Sequence, residues 1–152
     1  MRNHFTRALA AISLLGLSSF CAQAQEYFEP ARGTPEREDL LDAIRPLAEW
    51  ALAPPIEFVV TELRVSGDVA FVNVTAQRPG GAEIDLATSP LVLRDGETPE
   101  LVDGPHLQAL LRKSGRMWVS VQDSIGATDV WYSAGEFCAI WQSVLPEYCA
   151  DG

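Results

Sequence analysis

Histidine, cysteine and long apolar runs are scarce in this chain of 152 residues. It contains two histidines and three cysteines, and its apolar run at residues 9–17 is shorter than the roughly 20 residues that a bilayer-spanning helix needs. A Gly-x-Ser-x-Gly elbow, a His-Glu-x-x-His pair and a phosphate-binding P-loop are also absent. These absences argue against a membrane span and against the enzyme classes that carry those motifs.

Basic residues are also few. The chain has 11 Lys and Arg against 21 Asp and Glu, a net charge of −10. Such a balance disfavours nucleic acid and anionic membrane surfaces as partners. It is compatible with solubility alone, or with a basic or cationic partner.

The first 24 residues predict an export signal. Arg2 and Arg7 supply positive charge, residues 9–17 form an apolar segment, and residues 22–24 read Ala-Gln-Ala, a small-x-small cleavage site. Cleavage would leave residues 25–152 with nine basic and 21 acidic residues, a net −12. We therefore expect a periplasmic or secreted protein, with a flexible leader at residues 25–33 and a single domain at residues 34–152.

Two cysteines, Cys138 and Cys149, follow the expected cleavage point. Two cysteines in an oxidising compartment predict a disulfide. The sequence lacks the Cys-x-x-Cys motif that is typical of metal and redox sites. Cys21 could instead be the lipid acceptor of a lipoprotein, but the residue before such a cysteine is normally small, and here it is Phe20. Plain cleavage, with loss of Cys21, is the favoured reading.

The strongest structural pattern lies at residues 56–76. Two runs of β-branched and aromatic residues flank Ser66-Gly67-Asp68, which predicts a β-hairpin. The apolar positions change parity partway along the first run, so a bulge near Thr61-Glu62 is expected. We interpret this hairpin as the centre of an antiparallel sheet.

A helix should precede this hairpin. Thr34 suits the N-cap and Pro35 the first helical position, and the apolar residues that follow have helical spacing. Pro46 either kinks this helix or begins a second short one. Pro54-Pro55 ends the unit.

The rest of the chain predicts a second hairpin and a short helix. Residues 83–86 suggest a short strand, residues 89–93 another extended piece, and residues 95–105 a loop. Strands are expected at 106–112 and from Met117 onward, joined by a basic turn at 113–116. Ser133 and Glu136 fit a capping box before a helix that ends at Pro146. The order predicts an α+β fold: an N-terminal helix packed on a curled antiparallel sheet, with a short C-terminal helix.

Several motifs resemble a family of small exported bacterial proteins that is uncharacterised. They are Arg37-x-x-Leu40-Leu41-Asp42-Ala43-x-Arg45-Pro46, Glu57-Phe58-Val59-Val60-x-x-Leu63-Arg64-Val65-x-Gly67-Asp68-x-Ala70-Phe71-Val72, Gln77-Arg78-Pro79 and Gly126-x-Thr128-Asp129-Val130-Trp131. The resemblance implies one domain and brings no activity; one departure is Val69, where we associate a Trp with the family. The helix-then-sheet order is also similar to cystatin-like and nuclear-transport-factor-like folds, which carries no function.

Candidate chemistry is sparse. His106 is the only histidine after the expected cleavage point, and its first acid partner to test would be Asp129. The acids at 95–103 could supply Ca²⁺ ligands, but their spacing is not that of an EF-hand, so a solvated loop is the default. We expect no metal site and no cofactor.

Binding surfaces are the better candidates. Arg112, Lys113 and Arg116 form a basic turn that could grip an anion or could simply protect a strand edge. Trp118 and Trp131 would be binding anchors if exposed and ordinary core if buried. We therefore predict a non-catalytic binding protein for a protein, peptide or envelope component. The alternative is a pocketed ligand binder or an enzyme of nuclear-transport-factor-like type that uses His106.

Overall fold

The computed structural model describes residues 27–150. The predicted signal peptide and its cleavage site lie outside this range. The helices are α1 (Pro35–Leu52), α2 (Pro90–Leu93) and α3 (Gly135–Trp141), and the strands are β1 (Glu57–Ser66), β2 (Val69–Gln77), β3 (His106–Ser114) and β4 (Met117–Ile125). Short 3₁₀ helices occupy Leu86–Thr88, Pro99–Leu101 and Trp131–Ser133. The strands form one open antiparallel sheet in the order β1-β2-β3-β4, and the predicted α+β fold is confirmed.

Both predicted hairpins are present. β1 and β2 join through a turn at Gly67, whose φ of +60° suits a residue without a Cβ. The predicted bulge in β1 is confirmed, because the register shifts between Val60 and Glu62. β4 carries a second bulge: Leu110 pairs with Gln122 and Leu111 with Ser120, which leaves Val121 as the extra residue.

Helix α1 covers one face of the sheet. Its inward side chains, Leu40, Ile44, Ala48 and Leu52 among them, are fully buried against alternate residues of the strands. The facing residues on the strands are Leu63, Val65, Ala70, Val72, Val74, Ala76, Leu107, Ala109, Leu111 and Trp118. Helix and sheet thus share one core of buried apolar side chains.

Proline 46 lies within α1, and a single helix continues through it to Leu52. The last turn of α1 contains no basic residue, and its free carbonyls are bound instead by Arg78 from the end of β2. The guanidinium of Arg78 donates to the carbonyls of Leu52 (2.8 Å), Ala53 and Pro55 (3.1 Å). A cation therefore meets the negative end of the helix dipole from a distant part of the chain.

The other face of the sheet carries a second core. Val69, Phe71 and Leu110 pack there against the C-terminal segment; its buried members are Tyr132, Trp141, Val144, Leu145 and Cys149. Part of the expected leader is attached to the sheet, because Phe28 and Val65 exchange two backbone hydrogen bonds of 2.9 Å. Both faces of the sheet are thus covered, though incompletely at β4.

Three local predictions were wrong. Residues 83–86 form no strand, and residues 89–93 are not extended: they form α2, with Ser89 at the N-cap position and Pro90 at the first helical position. The capping box at Ser133 is also absent, because Ala134 is the N-cap of α3 and the Ser133 hydroxyl donates to the carbonyl of Val130. Among residues 27–150, none of the helices has the length and hydropathy that crossing a bilayer requires.

Candidate functional site

Strand β4 is the most exposed apolar element of the sheet. It lies at an edge, and the side chains of Met117, Val119 and Val121 are 68%, 43% and 54% exposed. Val119 pairs with Arg112, which in turn pairs with Val69 of the second core, so Val119 and Met117 belong to the face on which α3 packs. The C-terminal segment leaves these side chains uncovered, and no strand within residues 27–150 pairs with the outer edge of β4.

Trp118 points to the opposite face and is buried. Its indole N–H donates to Oε1 of Glu36 at 2.8 Å, and the same oxygen lies 3.2 Å from Nζ of Lys113. The Lys113 ammonium also lies over the Trp118 ring, 4.9 Å from its centroid. Trp118 therefore joins β4 to the start of α1 and is not an exposed anchor.

The basic turn is partly neutralised by this arrangement. Arg112 lies 3.8 Å from the carboxylate of Asp68, and Lys113 is paired with Glu36. Arg116 is exposed and forms no ion pair within residues 27–150. The turn is thus a site of mixed charge in which Arg116 is the most available cation.

The candidate catalytic residues His106 and Asp129 have different surroundings. Nε2 of His106 lies 3.1 Å from the carbonyl oxygen of Ala127, whereas Asp129 is exposed and lines a cleft that His106 does not line. Among residues 27–150, no hydrogen bond or ion pair joins the two side chains. A proton relay from Asp129 to His106 therefore has no geometric support.

That cleft has a volume of about 530 Å³. It lies between the last turns of α1, the segment that follows α2, and the end of β4. Its apolar lining includes Leu47, Trp50, Ala51, Leu91, Leu101, Val102, Ile125 and Ala127, and its acidic lining consists of Glu97, Asp123 and Asp129. No Lys, Arg or His side chain lines it.

Gly126 is one of the residues that line this cleft. Its N–H donates to the carbonyl of His106, and its own carbonyl accepts from the N–H of Asp103. With φ at +64°, a Cβ at this position would clash with Val102 and approach the carbonyl oxygen of Gly104 to 2.9 Å. Only glycine lets the 102–104 segment pass this close to the end of β4.

The remaining tryptophans belong to the second core. Trp131 is half-buried and packs edge-on against Tyr132 and Phe137. The buried indole N–H of Trp141 donates to the carbonyl of Leu111 at 2.9 Å, a residue at the β3–β4 bulge. Trp131 and Trp141 are thus packing residues, as the burial of an aromatic at helical spacing indicates.

Sequence reasoning missed a cluster around Arg64. This buried guanidinium lies 2.6 Å from Glu62 and 2.5 Å from Glu147, and donates to the carbonyl of Val144 at 3.2 Å. The ring of Tyr27 stacks on it, 4.7 Å away. The contact with Glu62 is ionic without hydrogen-bond alignment, whereas the hydrogen bond from Arg64 holds the pKa of Glu147 below its ordinary value. The cluster joins the N-terminal segment, β1 and the C-terminal segment.

The two cysteines lie at disulfide distance. The Sγ atoms of Cys138 and Cys149 are 2.02 Å apart, and the pair links α3 to the end of the described chain. The arrangement is compatible with an oxidising compartment. Within residues 27–150, no three His, Cys, Asp or Glu side chains are grouped closely enough to hold a metal ion.

No protein-family model, curated protein or solved structure matches the chain. The resemblance to small exported bacterial proteins therefore stays a prediction, and the functions proposed below rest on the geometry of the described residues.

Proposed function

We propose that this protein is an exported, non-catalytic binding protein that takes an extended segment of a protein or peptide partner along the free edge of β4. The observation that carries the proposal is the row of exposed apolar side chains at Met117, Val119 and Val121 on an unpaired edge strand. An edge strand presents free N–H and C=O groups to which another strand can pair. The signal-like N-terminus and the cysteine pair support export.

The bulge at Val121 limits where such a partner can pair. A bulge interrupts the regular spacing of backbone donors and acceptors, so the regular part of the edge is residues 117–120. This part adjoins the basic turn, where Arg116 is exposed without an ion pair in the described chain. A partner with alternating apolar residues and a carboxylate at the end nearest the turn would fit both features.

The alternative of an enzyme that uses His106 has less support. A catalytic base needs a partner and access to a substrate, and His106 does not line the cleft. Its ring instead contacts the backbone of Ala127. Asp129 does line the cleft, so a ligand could meet that carboxylate without meeting His106.

Affinity capture from envelope extract tests the proposal, with Val119→Lys as the disrupting variant and Val59→Lys as the matched control. Val59 is an exposed valine, 48% accessible, on the opposite edge strand. We expect the wild type and Val59→Lys to capture the same partner and Val119→Lys to lose it. Hydrogen exchange should show the amides of residues 117–120 protected by the captured partner. Equal capture by both variants, or unchanged exchange in β4, would refute binding at this edge.

A further inference from the structure

The α1–β4 cleft is a second candidate site, separate from the β4 edge. Its volume of about 530 Å³ falls in the range of about 300–1,000 Å³ typical of small-ligand sites. Three distant parts of the chain line it, and one of them contains the closely packed Gly126. We propose that this cleft binds an organic cation: an ammonium or guanidinium group attached to an apolar chain.

The charged side chains that line the cleft are all acidic. Glu97, Asp123 and Asp129 line the cleft without any cationic side chain among the lining residues. Asp123 is half-buried, and one of its oxygens accepts a hydrogen bond from Ser120 at 3.3 Å. The three carboxylates are not grouped as metal ligands, so they suit a ligand that is larger than an ion and contacts them at separate points.

Trp50 adds an aromatic ring to the lining of the cleft. Its ring lines the cleft and is 68% exposed, an unusual state for a tryptophan in a protein with a filled core. The guanidinium of Arg94 already lies over this ring, 4.0 Å from the centroid. The ring therefore accepts a cation in this molecule, as expected from its electron-rich face.

Arg94 itself does not neutralise the cleft. Its Nε and Nη2 atoms each lie 2.6 Å from the carboxylate of Asp95, and Nη1 donates to the carbonyl of Trp50 at 3.0 Å. These contacts hold the guanidinium between Asp95 and Trp50, and Arg94 is absent from the lining. The acidic lining is thus left for a cation from outside the chain.

The apolar lining defines the rest of the ligand. Leu47, Leu91 and Leu101 line the same cleft as the carboxylates and Trp50, and Leu101 is 72% exposed. A ligand that covered these side chains would gain the free energy of burying apolar surface. A small, strongly hydrated cation would gain none of it, so an apolar chain is part of the predicted ligand.

Titration with matched probes tests this site. Binding is followed by isothermal calorimetry, with hexylammonium against hexanoate, and acetyl-Leu-Lys-Leu-amide against its Glu counterpart. We expect the cationic member of at least one pair to bind and neither anionic member to do so. Binding of hexylammonium alone would identify a small-molecule site, and binding of the lysine peptide alone a peptide site. If no cation binds, or if the anions bind as well, the proposal is wrong.

Variants locate the binding. We expect the double variant Glu97→Gln, Asp129→Asn to weaken binding about fivefold, since each exposed ion pair is worth only a fraction of a kcal/mol, and Trp50→Ala to weaken it further. Glu83→Gln removes an exposed carboxylate outside the cleft and should leave binding unchanged. Val119→Lys should also leave it unchanged, so failure at the β4 edge and failure at the cleft are distinguishable. An equal effect of Glu83→Gln would overturn the assignment to the cleft.

Discussion

Two features of the structure require glycine at position 126. Its φ is +64°, and the 102–104 segment lies in close contact with it. Gly126→Ala should therefore lower the free energy of unfolding by about 3 kcal/mol or more, because it adds a clash to backbone strain. Gly115→Ala is the matched control, since its φ is +63° and nothing lies within 4 Å of the added Cβ. We expect the control to cost about 1 kcal/mol. Urea unfolding of both variants measures the difference, and equal losses would contradict the steric explanation.

The Arg64–Glu147 pair predicts a dependence of stability on pH. The pKa of Glu147 is lower in the folded chain than its ordinary value near 4.5. A depressed carboxyl pKa contributes stability above the unfolded value, and this contribution is lost as pH falls through the folded value. Glu147→Gln should thus flatten the decline in melting temperature below about pH 4.5. Glu136→Gln, an exposed acid on α3, should leave the decline unchanged.

The arginines that connect distant parts of the chain could not be predicted from the sequence. Arg78 reaches the end of α1 from 26 positions away, and Arg64 reaches the C-terminal segment across 80 positions. Neither has a local pattern that marks it, because the carbonyls that each arginine contacts are brought near only by the fold. The same holds for the cleft, whose lining comes from three separated stretches.

At the scale of elements, the C-terminal segment contacts the sheet beside the bulge of β4. Trp141 donates its indole N–H to the carbonyl of Leu111, at the point where the β3–β4 register shifts. Trp141→Phe keeps most of the ring but leaves that buried carbonyl without this donor. We expect a loss of about 1–2 kcal/mol in the free energy of unfolding.

The control for this prediction is Trp50→Phe, which changes an exposed ring with no buried N–H partner. It should cost less than about 0.5 kcal/mol. Chemical denaturation of both variants gives the comparison. If the two losses are equal, the hydrogen bond to Leu111 has no role in stability.

The elements that the sequence predicted well are those specified by local alternation. Both hairpins combine alternating apolar residues with a glycine turn, so local pattern and tertiary packing agree. Residues 89–93 were harder, because a short apolar run has no distinct period. There the Ser89-Pro90 start favours a helical turn, and the structure adopts it. Local pattern is also insufficient for the buried Trp118. Alternation predicts the face of the sheet on which it lies, but it does not predict that Glu36 on α1 accepts a hydrogen bond from its indole N–H.

At the scale of the whole molecule, the cysteine pair links the segment that covers the second core. Cys138 and Cys149 are 11 positions apart, and closing a loop of this length stabilises a chain by about 3 kcal/mol in the chain-entropy model. Intact-mass analysis should show two hydrogen atoms gained on reduction. The melting temperature should fall at the same time, with the double variant Cys138→Ala, Cys149→Ala melting like the reduced protein. An unchanged mass would refute the disulfide.

The pairing of Phe28 with Val65 places the N-terminal end of the domain beside β1. β4 is three strands away, at the far edge of the same sheet, a separation of about 14 Å. A surface or dye attached at this end of the described chain would therefore be coupled beside β1 and away from the proposed docking edge. Immobilisation through that terminus is the orientation that leaves β4 open to solution.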